Sequence, residues 1–372
     1  MFDTLYIGTS GLLGNAKGLK IVSNNLANVN TPGFKGSQLQ FADLFEQGGG
    51  VTNGQGEQHQ TAGQGVATLG STLNFRPGSD QSTGNPLDQS INGNGLFTVR
   101  RDGELLYTRA GDFRFDGKEV LVNGNGDHVQ ALDSSGKLVD VTLDALARSV
   151  PKATSKVSFI GNITTAVAVP PVDATVNGVT IIDPSGGSHT VNLSFKDNGG
   201  GAYAVTVTDS GAGAALLGGG TIKFSGGFPV AGSSEINIQY TATGVPSFPV
   251  KLDFSANVTA LATPSALQVN SQDGYVAGVR TEQSIDADGT ISVSYSNGQK
   301  AKGPRLAMAQ FVTESDLVQV GGGAFAKTKE GVVHYGYAST DTYGTLVSGH
   351  REGSNVDLAE EFSNLIVMQR GY

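Results

Sequence analysis

Turn signals recur at a short, nearly regular spacing through most of this 372-residue chain, and that spacing constrains the fold more than any other feature. Residues 90–132, SINGNGLFTVRRDGELLYTRAGDFRFDGKEVLVNGNGDHVQAL, alternate apolar runs with NG, DG and GNG turns. The turns come roughly every eight to twelve residues, which is the rhythm of antiparallel hairpins. HTVNLSFKD, AYAVTVTD, EINIQYTA and FPVKLDFSA continue the alternation and predict a β-sandwich or small barrel. After residues 270–280 the hairpin pattern resumes with SIDADGTISVSYSNGQ and PRLAMAQFVTESDLVQVGGGAFAKT. The 54 glycines, set among Thr, Val and Asn, suit many short strands joined by tight turns.

Helical spacing is confined to the two ends. Leu5, Leu12, Leu19 and Leu26 recur every seven residues, and Ala16 and Ser23 complete a narrow stripe. Gly8, Gly11, Gly14 and Gly18 form a second, smoother face that would let another helix approach closely. Each costs an isolated helix roughly 0.5–1 kcal/mol, so this helix is expected to be marginal without partners. Pro32 disfavours helix at Thr31, and Pro32-Gly33 suits the centre of a type II turn, with Phe34 anchoring the exit. At the far end Leu358, Phe362, Leu365 and Tyr372 form a second stripe, with Ser354 or Asn355 as N-cap. Asp357, Glu360 and Glu361 suit the positive end of that helix. The two helices are expected to pair as a hairpin that stacks with other copies, which bury the leucine stripes, and to be largely disordered until they do so.

The expected organisation is nested. Residues 1–30 with 354–372 form a terminal helical domain, coiled-coil-like, and 31–70 a Gly-rich linker or extended segment. Residues 71–150 with 270–353 form a discontinuous first β-domain, and 151–269 an inserted second one. The fold class is mainly β: two antiparallel β-domains, one inserted in the other, flanked by terminal α-helices. GAGAALLGGGT, residues 211–221, reads as a flexible loop.

Composition excludes several function classes. The net charge of −9 and the lack of any Lys/Arg cluster longer than two residues argue against nucleic-acid binding. With no Cys there is no disulfide framework, thiol nucleophile or zinc-thiolate site. Lys17 and Lys20 spoil the early apolar stretch as a membrane span, and no cleavable signal is evident. His59, His128, His189, His334 and His350 lack metal spacing, and no GxSxG, HExxH or Walker motif occurs. DADG (286–289) reads as a β-turn, because Asn297 stands where a calcium loop needs its Glu. No catalytic residue, metal or cofactor is expected. Arg280, Arg351 and Glu352 read as solvated charges or as inter-subunit ion-pair partners.

SNNLANVNTPGFK (23–35), TGNPLDQSINGNGLFTV (83–99), YTRAGDFRFD with LVNGNGDHVQ (107–130) and GTLVSGHREGSNVDLAEEFSNLIVMQRGY (344–372) together resemble the bacterial flagellar axial family that builds rod and hook. In the first motif Asn28, Thr31, Pro32, Gly33 and Phe34 carry the likeness. The inserted central segment is similar to the hook members, since rod members are shorter there. The resemblance implies a homopolymer: a curved, flexible tube that transmits torque from rod to filament and encloses the export channel. It implies export without a cleaved signal, an extracellular place in the hook and basal body, and rod, hook-cap, hook–filament junction and export-apparatus proteins as partners. A distal rod subunit and an extracellular β-sandwich adhesin are the alternative readings. In the family the C-terminal helix usually runs several turns past QRGY; a chain shortened there would have an incomplete inner helical layer, which puts polymerisation in question.

Overall fold

The computed structural model describes residues 2–43, 65–166, 173–211, 215–241, 244–340 and 342–372. The chain divides into two compact units. The first holds residues 1–146, 282–293 and 300–372, and the second 147–281 with 294–299.

The first unit is built around a ten-stranded sheet in which Leu317–Gly321, Ala324–Lys327, Glu104–Thr108, Leu96–Arg101, His128–Leu132, Leu121–Val122 and Arg114–Phe115 lie side by side. Strands far apart in sequence pair directly: Phe325 sits opposite Tyr107, and Met308 opposite Phe97. Two further pairings join the ends of the unit, Thr345–Ser348 with Gln89–Asn92 and His350–Glu352 with Asp80–Ser82. Phe97, Val99, Phe113, Leu121 and Val129 fill its core, with Phe97 and Phe113 packed edge-to-face at 4.9 Å.

Two helices belong to this unit, α1 (Phe2–Ala27) and α2 (Leu358–Gly371). They group with the first β-domain rather than forming the separate unit expected of 1–30 and 354–372. The N-cap of α2 is Asp357, which accepts from the amides of Ala359 and Glu360. The expected caps serve elsewhere. Asn355 accepts from Gly36 N–H and donates to the Asn74 carbonyl, while the Ser354 hydroxyl accepts from Val356 N–H.

The segment expected as a 31–70 linker is largely structured where it is described. Ser37–Asp43 (β1) and Val66–Leu73 (β2) form an antiparallel hairpin. Neither strand carries enough apolar surface to signal itself, and α1 supplies the backing that an isolated two-stranded sheet lacks. Residues 44–64 of that segment, with His59, lie outside the described residues.

The second unit is a two-sheet structure with one core. Ala174–Ile182, Ser188–Asp197, Ala202–Asp209, Leu216–Ser225 and Phe228–Pro229 form an antiparallel sheet. The other sheet is ordered Glu235–Tyr240, Phe248–Leu261, Lys156–Thr164, Gln268–Gln272. Its central pair, 156–164 with 248–261, is parallel, an exception to the antiparallel pattern expected throughout. The intervening strands serve as the long crossover that a parallel pair needs. Phe159 stacks on Phe254 at 4.6 Å, and Phe195 meets Phe254 edge-on at 5.7 Å. The unit extends past the expected 151–269, because Arg148–Ser149 pairs with Gly278–Val279 and Lys152 bridges Tyr275. Part of the expected 211–221 loop is strand: its glycines 218–220 pair with Val205–Val207, while 212–214 lie outside the described residues.

Candidate assembly interface

The exit from α1 is fixed by short side chains. Asn28 Nδ2 donates to the Asn24 carbonyl at 2.9 Å, and Thr31 Oγ1 donates to Asn28 Oδ1 at 3.1 Å. Phe34 N–H then closes the four-residue turn onto the Thr31 carbonyl at 3.3 Å, with Gly33 at φ +65°. That φ needs glycine, and so does the close approach: a Cβ on Gly33 would stand 2.3 Å from the Ala110 amide nitrogen. Phe34 is 2% exposed, so the turn is pinned to the β-domain on both sides.

Beyond the turn, three sequence motifs meet. Lys35 of the first donates to Glu352 Oε1 at 2.5 Å, and Arg109 Nη1 lies 3.3 Å from Glu352 Oε2. Gly33 N–H donates to the Glu352 carbonyl and Asn355 N–H to the Phe34 carbonyl. Glu352 is therefore neither a solvated charge nor an inter-subunit partner; it is 3% exposed and neutralised within its own chain. Sequence reasoning missed this because an acidic side chain ordinarily marks surface.

The helices run antiparallel. Asn15 Nδ2 donates to the Gly371 carbonyl at 2.8 Å, and ten residues later Asn25 Nδ2 donates to Glu361 Oε1 at 2.7 Å. Burial pushes the Glu361 carboxyl above its usual range. Between these contacts Gly18 faces Met368 closely, and Val22 is buried. The hairpin covers the neighbouring side of α1: Val66 N–H donates to Ser10 Oγ, Lys17 donates to Thr68 Oγ1, and Gly14 faces Phe41. The seam within the chain thus uses the glycine face of α1. Small residues are what allow helix and hairpin to approach together.

The leucines lie about 100° around the helix from that seam, on the side away from the hairpin. Leu5 is 64% exposed and Leu12 40%, while Leu19, Leu26 and Ala16 are half-buried or partly so. On α2 the residues toward the hairpin are Glu360, Glu361 and Asn364. Leu358 and Phe362 project to the opposite side and are about half exposed; Leu365 is drawn partly into the seam. Because the helices are antiparallel, both stripes fall on one side of the pair. Ile366 joins that face, and Tyr6, Leu13 and Val367 are exposed elsewhere on the helices; none of these was anticipated. Their signal, i+4 spacing from Phe362 for Ile366, was present but competed with the heptad register.

Three family profiles match the chain, described as the flagella basal body rod protein (residues 5–35), the flagellar hook protein FlgE/F/G D1 domain (90–181) and the flagellar basal body rod FlgEFG protein C-terminal region (347–372). The flagellar hook protein FlgE of Salmonella typhimurium is 30% identical over 389 aligned positions, covering 98% of this chain and 93% of that protein. The chain belongs to the flagellar hook protein family. The Escherichia coli K12 hook protein FlgE is similar to the same degree, 30% identical with 98% and 93% coverage. Among solved structures, the Helicobacter pylori flagellar hook protein FlgE2 aligns with a TM-score of 0.46 and 11% identity over 74% of this chain and 99% of that one. Each profile contributes one member of the buried cluster: Lys35, Arg109 and Glu352 respectively. No helix among the described residues is long and apolar enough to cross a membrane, and no group of three potential metal ligands occurs among them.

Proposed function

We propose that this hook-family chain is a non-catalytic subunit that polymerises through the apolar face shared by α1 and α2. Leu5, Leu12, Ala16, Leu19 and Leu26 of one copy, with Leu358, Phe362 and Leu365, become buried against neighbouring copies. The observation that carries this reading is the exposure of that face beside a seam already satisfied within the chain. Burying the exposed half of each large side chain is worth about 1 kcal/mol, so one neighbour gains little and a ring of neighbours gains much. The Asn28–Phe34 turn fixes the direction in which the helical pair leaves the β-domain. The helical pair forms the inner layer of the tube. Rod, hook-cap, junction and export proteins are the partners that such a tube requires.

Electron microscopy of the purified protein across a concentration series tests the reading. Curved tubes are the expected product. Straight rigid tubes would instead favour a distal rod subunit, and a monomer at every concentration would favour a free-standing binding module.

A further inference from the structure

The tetrapeptide Asn-Gly-Asn-Gly occurs twice, at 92–95 and 123–126, and the fold treats the two copies differently. In the second copy both side chains are tied down. Asn123 is 2% exposed; its Oδ1 accepts from the amides of Asn125 and Asp127, and its Nδ2 donates to Asp127 Oδ2 at 2.9 Å. Asn125 Nδ2 donates to the Gly322 carbonyl at 2.7 Å, and Gly126 N–H donates to the Asn123 carbonyl. In the first copy Asn92 and Asn94 are exposed. Among the described residues neither of their side chains has a hydrogen-bond partner, and neither does the N–H of Gly93 or Gly95. What is held is a backbone oxygen: Gly344 N–H donates to the Asn94 carbonyl at 2.9 Å.

An asparagine followed by glycine can close on itself. The glycine nitrogen gives its proton to hydroxide and attacks the side-chain Cγ; ammonia leaves, and a five-membered succinimide remains. Water then opens the ring at either carbonyl, giving aspartate or isoaspartate. The sum is one water consumed and one ammonia released. The step needs a side chain free to turn and a following amide free to ionise. When the Asn94–Gly95 peptide ionises, the charge spreads to the Asn94 oxygen, where Gly344 N–H already donates. Asn92 is less free, because it ends the strand Gln89–Asn92 and its backbone is held opposite Thr345. Elsewhere the following amide or the side chain is engaged: Gly178 N–H donates to Asn192 Oδ1, Gly199 N–H to Asp197 Oδ1, and Asn297 Nδ2 to Ser149 Oγ and the Val276 carbonyl.

We propose that Asn94 is a site of covalent modification, converting through a succinimide with Gly95 to aspartate and isoaspartate, while Asn123 and Asn125 are preserved by their hydrogen bonds. Each conversion makes the chain more acidic. The isoaspartate route also lengthens the main chain at the turn that Gly344 holds, next to the strand Thr345–Ser348.

Peptide mapping by mass spectrometry tests it, on the full-length protein incubated at mildly alkaline pH. Conversion is read as a gain of about one mass unit, with the isoaspartyl peptide separated by its retention. In the folded protein Asn94 should convert at least about ten-fold faster than Asn123 or Asn125. In urea the two copies should convert at similar rates, since the tetrapeptides are identical and the hydrogen bonds are gone. Asn94 converting no faster than Asn123 and Asn125 in the folded protein would overturn the proposal. So would conversion at Asn92 ahead of Asn94, or a difference between the copies that survives unchanged in urea.

Discussion

Met368 Sδ lies 2.8 Å from the point where a Cβ on Gly18 would stand. The two helices of this chain approach as closely as they do because position 18 has no side chain.

A branched or long residue at 18 must therefore part the helices. Gly18→Leu is expected to lower far-ultraviolet helix content in the free subunit and to expose Val22. Gly8, which has nothing within 4 Å of its Cβ position, should respond in the opposite direction. Gly8→Ala should stabilise α1 by roughly 0.5–1 kcal/mol through backbone entropy alone. Equal responses at the two glycines in circular dichroism would show that the seam does not depend on close approach.

Charge placed on the exposed face should separate assembly from folding. Leu12→Asp with Phe362→Asp puts two carboxylates at positions that are about half exposed in one chain. The β-domain transition in calorimetry should stay within about 0.5 kcal/mol of the parent, as surface changes usually do. Tube formation in the electron microscope should be lost. A large drop in melting temperature would show that this face belongs to the subunit's own core.

Gly33→Ala combines two penalties, a left-handed backbone and a collision with the Ala110 backbone. The left-handed conformation alone costs about 1–2 kcal/mol in an L-residue, and the backbone contact cannot be relieved by a rotamer change. Urea denaturation should show a loss of more than about 2 kcal/mol. A loss below 0.5 kcal/mol, roughly the ordinary surface value, would mean that the turn re-forms in another shape.

The second unit carries an acid-sensitive pair. Burial alone would push the Asp253 carboxyl up, but hydrogen bonds from Lys156 (2.7 Å) and Ser255 outweigh it and hold its pKa at about 2. A carboxylate depressed in the folded state adds stability above its unfolded pKa and loses it as pH falls toward the folded one. The contribution, on the order of 2 kcal/mol, should therefore be complete at neutral pH and disappear between about pH 4 and pH 2. Thermal melting of Asp253→Asn against the parent should show a gap that closes over that window. A gap that persists at pH 2 would assign the effect to shape rather than charge.

The sequence made the strand-and-turn middle, the terminal helices and the stop at Pro32-Gly33 legible, because each is a local consequence of residue type and spacing. What it concealed was non-local. Gly14–Gly18 and Leu5–Leu26 have the same helical period, so spacing could not tell which face docks within the chain. The alternation of KVSFIGNIT is the same whether its neighbour runs parallel or antiparallel. β1 and β2 become strands because α1 lies against them, which no window of their own residues contains. Glu352 gave no sign of burial because its partners stand 317 and 243 residues away.

In the second unit the incoming and outgoing strands touch along their length: Arg148 is opposite Val279, Lys152 opposite Tyr275, and Val157 opposite Gln272. A segment with adjacent ends behaves as a cassette. Whatever is threaded between those two strands can grow, shrink or be exchanged for another fold, provided the ribbon at its neck still closes.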